Sequence, residues 1–362
     1  MKSNKNYKIL AVLLPMQWAF YQIIAQFPNF IENYYSNGLY PVISSIFHFT
    51  LGWIPFSIGD VIYTILILYI IKNIYQLIKV RKFNIKKTLI KTLAFISVIY
   101  FIFSFGWGLN YHRLPITERL NFSEDRYTET ELIDFTKTLI QKLNTVHSEI
   151  TLNDSLVPNN LLTKKEMHRV AFNAYDELEQ KMPVFSIQQK SVKKSLFSLP
   201  LTYMGFAGYL NPFTNEAQVN YLIPKNNYPA TTCHEIAHQL GIASENEANF
   251  VGFLASINSK DKFLNYSGYL MALRYCLFDI YTMDKELFNE IKDELNIGIL
   301  KDMQESQYFW ISYQNKSEKY FKIFYDSYLK ANNQIDGIRS YSKMVILLVN
   351  YDKKHQCFSN RW

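Results

Sequence analysis

Two histidines four residues apart, His234 and His238, enclose a glutamate in the stretch HEIAH. On a helix, residues four apart lie on one face, so both imidazoles can face the same metal ion. Zinc binds histidine nitrogens, and a catalytic zinc site keeps one coordination position for water. Glu235 lies beside the first histidine, close enough to contact that water without binding the metal. The spacing predicts one Zn²⁺ per chain, with Glu235 as general base. The alternative is a chance match in a helix whose histidines are satisfied in the core.

The third protein ligand must come from residues that follow this helix. His355 is the only histidine beyond His238, which favours a carboxylate. Gly241 can adopt the left-handed conformation that ends a helix, and it would turn the following chain back toward the ion. The nearest carboxylates after that turn are Glu245 and Glu247, and both are candidates.

The elements around the motif are predicted to be mainly helical. One helix follows Pro229 and ends near Gly241, and another covers 245–257. The alternating run 217–223 (AQVNYLI) predicts a strand just before the first of these helices. Further helices are predicted over 128–147 (with a capping box at Thr128 and Glu131), 163–181, 266–283, 317–331 and 338–351.

The N-terminal third carries three long apolar stretches, at about 9–27, 53–71 and 92–109. Each approaches the ~20 residues that a helix needs to cross the hydrocarbon layer. Buried helices of a soluble protein are the alternative, but 61–71 is apolar on all sides, whereas a soluble helix normally keeps a polar face. The pattern predicts three transmembrane helices, and hence lipid as a partner.

Charge is unevenly distributed along the 362 residues. The net charge is +7, but residues 1–110 contain ten Lys and Arg against two acidic residues, so the remainder sums to −1. The overall charge therefore gives no support for nucleic acid as a partner. Seven basic residues lie in 72–91 and none in 28–52, so the positive-inside bias predicts an extracytoplasmic C-terminal domain. The three cysteines are widely spaced, which argues against a disulfide framework.

Several stretches resemble an uncharacterised bacterial family of membrane-anchored HExxH proteins, interpreted as gluzincin-like zinc metallopeptidases. The stretches are IPFSIGD (54–60), WGLNYHR (107–113), NPFTNEAQVN (211–220), CHEIAHQLG (233–241), ENEANF (245–250) and GIRSYSKMV (337–345). The likeness extends over essentially the whole chain. It implies a bacterial inner-membrane protein with a zincin-like domain.

The run ENEAN is similar to the ExxA[DN] pattern of gluzincins. By position, this resemblance implies that Glu245 is the third zinc ligand and that Asn249 supports the site by hydrogen bonding. Glu247 remains the alternative ligand, because His238 and Glu245 are closer in sequence than is usual in gluzincins. Zincin-type peptidases place an edge strand where AQVNYLI lies, and an extended substrate could pair with it.

A second hydrogen-bond donor commonly stabilises the oxyanion in such sites. The candidate oxyanion or substrate contacts are Tyr203, Asn220, Tyr221, Arg274 and Tyr341. The alternative for each of them is a structural role. The chain has 27 tyrosines, so a tyrosine at a given position is weak evidence for a catalytic contact.

Together these observations predict a mainly α protein with two domains. Residues 1–110 form a membrane domain with three transmembrane helices, and 111–362 form an extracytoplasmic, α-rich, zincin-like domain with a small β-sheet. The predicted function is a membrane-anchored zinc metallopeptidase that hydrolyses peptide or protein substrates, with a non-peptide amide as another substrate class. The alternative is a non-catalytic, membrane-anchored zinc-binding sensor or assembly protein.

Overall fold

The computed structural model describes residues 2–79, 84–123, 126–188, 190–334 and 343–355. Its contacts divide the chain into two compact units. The first comprises Met1–Leu114 together with Asn211–Glu216, and the second comprises Pro115–Leu210 and Ala217–Trp362.

The first unit is helical throughout most of its length. Its helices are α1 (Lys2–Ile24), α2 (Pro28–Phe30), α3 (Tyr40–Leu51), α4 (Ile58–Lys79) and α5 (Ile85–Gly106), with a π-helical segment at Ile31–Leu39 and a 3₁₀ turn at Gly108–His112. Arg113 forms a buried bidentate ion pair with Glu32, at 2.8 and 2.9 Å. This geometry satisfies both charges within the unit.

Two of the described helices, α4 and α5, are individually long and apolar enough to span a membrane. A third span exists if Lys5–Ile24 and Pro28–Leu51, which are bent by 95° at their break, are counted as one. The chain therefore has two or three helices suited to membrane anchoring. The first predicted span, 9–27, lies mostly within α1, which ends at Ile24, shortly before Pro28, because proline cannot continue the helical hydrogen bonding.

The helices of the other two predicted spans have different bounds from those predicted. α4 covers Ile58–Lys79 rather than 53–71, and α5 covers Ile85–Gly106 rather than 92–109. Polar residues extend the end of α4 and the start of α5. The Asn84 side chain accepts a hydrogen bond from the Lys87 backbone and caps α5. Lysines at such helix ends can extend their ammonium groups toward the membrane surface.

The second unit contains most of the helices and a small sheet. Its helices are α6 (Ile116–Arg119), α7 (Glu129–Thr151), α8 (Lys164–Lys181), α9 (Ser198–Met204), α10 (Tyr228–Gln239), α11 (Glu245–Asn258), α12 (Lys262–Met283), α13 (Lys285–Lys292), α14 (Ile297–Ser312), α15 (Glu318–Ala331) and α16 (Lys343–His355), with a 3₁₀ turn at Pro183–Phe185. The predicted mainly helical fold is confirmed. The part of the helix predicted at 338–351 that precedes α16 lies outside the described residues.

Local sequence explains where several of these helices begin. Thr128 and Glu131 form the predicted capping box of α7, and Thr163 and Glu166 form a second one for α8. Each box satisfies backbone N–H groups that have no partner inside the helix. The apolar faces of α7, α8, α11, α12 and α16 then meet in one core, and α11 is buried along nearly its whole length.

The described residues form a three-stranded sheet in the order β1 (Val192–Lys194), β3 (Glu216–Val219), β2 (Gly208–Asn211). β1 and β3 are parallel, with Val192 opposite Ala217. The prediction that AQVNYLI is an edge strand is wrong: the part of it that forms a strand lies in the centre, between β1 and β2, and 220–223 lies outside the strand. Both sides of β3 are occupied, so a substrate strand cannot pair with it.

Candidate metal centre

Helix α10 presents the two histidines of the motif on one face. Pro229 occupies the first turn, where its missing N–H costs no helical hydrogen bond. The helix ends before Gly241, whose φ of 73° lies in the left-handed region. Ser244 then precedes α11, which starts at Glu245. The predicted glycine turn therefore returns the chain toward α10 within a few residues.

A second glycine permits α10 and α11 to pack closely. A Cβ at Gly252 of α11 would lie 2.9 Å from the backbone nitrogen of His234. Any side chain here would push the two helices apart. The absence of a side chain at Gly252 thus contributes directly to the short distance between the histidines and the start of α11.

The side chains of His234, His238 and Glu245 converge on one point. The two Nε2 atoms are 3.1 Å apart. Glu245 Oε2 lies 3.2 Å from Nε2 of His234 and 3.7 Å from Nε2 of His238. Metal–ligand bonds of ~2.0–2.1 Å in a tetrahedron place neighbouring donors about 3.3–3.4 Å apart. The three observed separations bracket that value, so these residues fit a tetrahedral zinc ion.

The tautomer of His238 supports the same interpretation. Its Nδ1 lies 2.7 Å from the carbonyl oxygen of Ile242, which can only accept a hydrogen bond. Nδ1 therefore carries a proton, and Nε2 is the nitrogen that can bind a further proton or a metal ion beside His234 and Glu245. Lone pairs and a carboxylate this close require a proton or a cation between them. A backbone carbonyl on the outer nitrogen is also a common support for a metal-binding histidine.

Electrostatics at the site favour a bound cation. Burial lowers the pKa of His238, but the Glu245 carboxylate outweighs it, and the net pKa is raised. Burial likewise raises the pKa of Glu245, but His238 and His234 hold it well below its usual range. A buried carboxylate that stays ionised next to two imidazoles creates a strong preference for positive charge at the shared point.

Glu235 lies beside this triangle and differs from Glu245 in its surroundings. His234, Glu235 and His238 together offer ligand atoms within 4.8 Å of one another. Glu235 Oε2 is buried and has no hydrogen-bond partner among the described residues. Burial, partly offset by the two histidines, raises the pKa of Glu235 to about 7. Since Glu245 Oε2 faces both Nε2 atoms directly, Glu245 suits the third ligand position and Glu235 suits proton transfer.

A glycine of the sheet gives Glu235 its space. A Cβ at Gly208, at the start of β2, would lie 2.4 Å from Glu235 Oε1 and 2.7 Å from the carbonyl oxygen of Gln218. Glycine inside a strand often marks such a close approach. The edge strand β2 therefore passes directly beside the candidate base.

Glu247, the alternative ligand, and Asn249, the predicted supporting residue, form hydrogen bonds outside the triangle of His234, His238 and Glu245. Glu247 Oε1 accepts a hydrogen bond from the backbone of Ile116, at 2.9 Å, at the start of α6. Asn249 Nδ2 donates to Tyr275 Oη at 3.1 Å. Burial and the nearby Glu245 charge raise the pKa of Tyr275, so this tyrosine lies within electrostatic reach of the ligand set. Asn249 thus reaches the site through Tyr275, whereas Glu247 supports α6.

The proposed substrate and oxyanion residues have contacts that hold the fold together. Tyr203 packs edge-on against Tyr313 and is about half exposed, and Arg274 donates to Ser306. Asn220 donates to Thr202 Oγ1 and to the carbonyl oxygen of Phe206. The Tyr221 ring lies 4.1 Å from the Lys194 ammonium. Tyr341 lies outside the described residues. Within the described residues, none of these contacts joins the metal centre.

Comparison with known families gives one match over most of the chain. A family model described as "Protein of unknown function (DUF3810)" matches residues 35–349. The chain belongs to this family. The match includes α4, α5 and the whole metal centre. Searches of curated proteins and of solved structures found no match.

Residues outside the HExxH pattern also contribute to the candidate centre, and they come from other elements of the fold. Tyr325 of α15 donates a 2.6 Å hydrogen bond to Glu245 Oε1. Gly208 and Gly252 supply the close approaches described above. No sequence signal singles out one tyrosine among 27. The two glycines lie inside a strand and a helix, where an isolated glycine suggests a packing role, although it does not identify the partner.

Proposed function

We propose that the chain is a membrane-anchored, zinc-dependent metallopeptidase that hydrolyses peptide bonds at the extracytoplasmic face. The strongest support is geometric: the donor atoms of His234, His238 and Glu245 have separations close to those of tetrahedral zinc ligands. A carboxylate oxygen of Glu235 lies beside them and has no hydrogen-bond partner among the described residues. A purely structural zinc site has no need of such a carboxylate.

His234, His238 and Glu245 would hold the ion, which when bound supplies an acidified water and polarises the scissile carbonyl. Glu235 accepts the proton from the attacking water through Oε2. It then delivers that proton to the leaving amine. Burial raises the pKa of Glu235 above its usual range, which makes this carboxylate a stronger base toward the water. Burial of the site also strengthens its electrostatic interactions with the developing charge.

The edge strand β2 is a suitable element for binding an extended peptide. It passes beside Glu235 at Gly208, and it lies at the edge of the sheet in the described structure. Added strands bind through backbone hydrogen bonds, which depend little on side-chain identity. An extended segment of a protein or peptide substrate therefore fits this position.

The extracytoplasmic location rests on the charges at the spanning helices. Basic residues concentrate at the end of α4 and the start of α5, for example Lys79, Lys86 and Lys87. This connection is the candidate cytoplasmic side by the positive-inside bias. The second unit follows the opposite end of α5 and is therefore assigned to the other side of the membrane.

A non-catalytic zinc site is favoured where a fourth protein ligand replaces the water, and Cys233, directly before His234, is the nearest residue that could supply one. Its thiol is fully buried and lies near Ser256, and burial raises the pKa of this thiol to about 12. A thiol must lose its proton to bind zinc. The environment of Cys233 therefore gives no support to a closed four-ligand site.

The decisive experiment compares wild type with Glu235→Gln. Glutamine keeps the size of the side chain but cannot take a proton, so zinc content should be retained while peptide cleavage falls ~10²–10⁴-fold. His234→Ala is the matched control and should lose the metal. The assay is peptide-library cleavage by purified protein, with zinc measured by elemental analysis.

Equal cleavage by wild type and Glu235→Gln would exclude the mechanism. The other outcome is that neither wild type nor Glu235→Gln cleaves any peptide. If His234→Ala then abolishes a cellular phenotype that Glu235→Gln preserves, the non-catalytic zinc protein is favoured.

A further inference from the structure

The Glu245 carboxylate has its two oxygens in different environments. Oε2 faces the imidazoles of His234 and His238, at 3.2 and 3.7 Å. Oε1 accepts the Tyr325 hydroxyl at 2.6 Å. A hydrogen bond to a charged acceptor is among the stronger ones in proteins. The two oxygens therefore cannot exchange places without breaking this bond.

The Tyr325 side chain is itself held in place. Its ring packs edge-on against Phe206, with centroids 5.0 Å apart, and stacks on Tyr328, with centroids 6.1 Å apart. Such ring contacts favour the observed orientation of the side chain. This orientation places the hydroxyl within hydrogen-bond distance of Glu245.

The same segment also contacts the backbone at the start of α11. Gln334, shortly after α15, lies with Oε1 3.4 Å from the backbone nitrogen of Glu245 and with Nε2 3.4 Å from the carbonyl oxygen of Ala243. Both contacts are long. They involve the backbone of Glu245, which Tyr325 also contacts, and the backbone two residues before it. Residues 325–334 thus position both the side chain and the backbone of the candidate ligand.

We propose that Tyr325 is a positioning residue that orients Glu245 for metal binding; this inference rests on the proposed zinc function. By holding Oε1, the hydroxyl directs Oε2 alone toward the histidines. Because the carboxylate is already oriented, it loses less conformational entropy when it binds a cation. The sequence distance between position 325 and the motif explains why neither the HExxH pattern nor the gluzincin pattern includes this residue.

Tyr325→Phe in the full-length, detergent-solubilised protein tests this role. Phenylalanine keeps the ring and its contact with Phe206 but removes the hydroxyl. Zinc affinity, measured by competition with a chelator, should fall ~10–100-fold. Tyr320→Phe is the matched control, because Tyr320 lies on the same helix with its side chain largely exposed, and its zinc affinity should equal that of wild type.

A double-mutant cycle with Glu245→Gln separates positioning from a general structural effect. If Tyr325 acts through Glu245, then Tyr325→Phe should change cobalt affinity and the cobalt absorption spectrum in the wild-type background and have little further effect in the Glu245→Gln background. Comparison of the metal-free proteins by thermal unfolding checks that the fold is retained.

The outcomes distinguish this inference from the function on which it rests. Wild type that binds no zinc or cobalt overturns the proposed function and the role of Tyr325 together. Wild type that binds zinc while Tyr325→Phe has the same affinity overturns the role of Tyr325 alone. An equal effect of Tyr325→Phe in both Glu245 backgrounds also overturns it, because the hydroxyl then acts elsewhere.

Discussion

Gly252 of α11 lies directly against His234 of α10: a Cβ at position 252 would come within 3.0 Å of the His234 Cα. The close packing of these two helices brings Glu245, the candidate ligand on α11, to the histidines on α10. Backbone atoms cannot move aside as a flexible side chain can, so even one methyl group must separate the helices.

Gly252→Ala should therefore lower stability by ~1–3 kcal/mol and weaken zinc binding. Thermal unfolding and chelator competition measure the two effects. Gly106→Ala is the control, since a Cβ there would lie 3.9 Å from the Pro212 carbonyl oxygen, an ordinary van der Waals distance. A Gly252→Ala protein with wild-type melting temperature and zinc affinity would contradict the close approach.

Gly208→Ala should impair hydrolysis without removing the metal. The new Cβ would contact Glu235 Oε1 and the backbone oxygen of Gln218, so either the base or the strand must move. A displacement of about 1 Å at a catalytic group can lower the rate on the order of 100-fold. Peptide cleavage and zinc content measured on one preparation test this. Unchanged cleavage would show that Glu235 does not need its observed position.

Glu245 and Glu247 should respond differently to alanine substitution. Glu245→Ala removes a candidate ligand and should abolish zinc binding. Glu247→Ala should keep the metal but lose ~1–3 kcal/mol of stability, because the buried Ile116 N–H loses an acceptor. Elemental analysis and denaturant unfolding distinguish the two. Loss of zinc in Glu247→Ala and its retention in Glu245→Ala would reverse the ligand assignment.

His168 should make the second unit less stable in acid. Its ring stacks on Tyr228 and its Nε2 lies 2.7 Å from Tyr228 Oη. Burial, with the charge of Lys193, lowers the pKa of His168 to about 4. Below its unfolded pKa of about 6.5 the unfolded chain binds more protons at this residue, so the stability present above pH 6.5 is lost as the pH falls toward 4.

In His168→Gln this contribution to the free energy of unfolding is absent. Between pH 7 and 4.5 the variant should therefore lose less stability than wild type, by no more than about 3 kcal/mol. Denaturant unfolding of both proteins over this range measures the difference. Because both proteins keep His234, His238 and Glu245, the loss of any metal bound there in acid would affect them equally. Parallel stability curves would show that His168 titrates normally in the folded protein.

The orientation of the membrane unit can be tested independently of the chemistry. A reporter that is active only outside the cytoplasm, fused after residue 362, should be active. A matched fusion in the connection between α4 and α5 should be silent. Expressed fusions with the opposite pattern would place the metal centre in the cytoplasm and reverse the topology.

Much of the fold followed from local sequence signals. The capping box at Thr128 predicted the start of α7, because it encodes its own hydrogen bonds within four residues. Amphipathic periodicity predicted α8, and the structure adds a capping box at Thr163. Helix α14 was not predicted. Its buried face includes Gly298, Asp302 and Ser306, so apolar periodicity is weak there. Asp302 and Ser306 accept hydrogen bonds from Tyr266 and Arg274 of α12.

For the candidate site, sequence was sufficient for His234, Glu235 and His238, because a helix places residues four apart on one face wherever it lies in the fold. It also led to two possible carboxylates without choosing firmly between them. Only the tertiary structure set Glu245 against the histidines and Glu247 against Ile116, and only it brought Gly208, Gly252 and Tyr325 to the centre. Those contacts join residues far apart in sequence, and their geometry depends on how whole helices and strands pack, which no local pattern encodes.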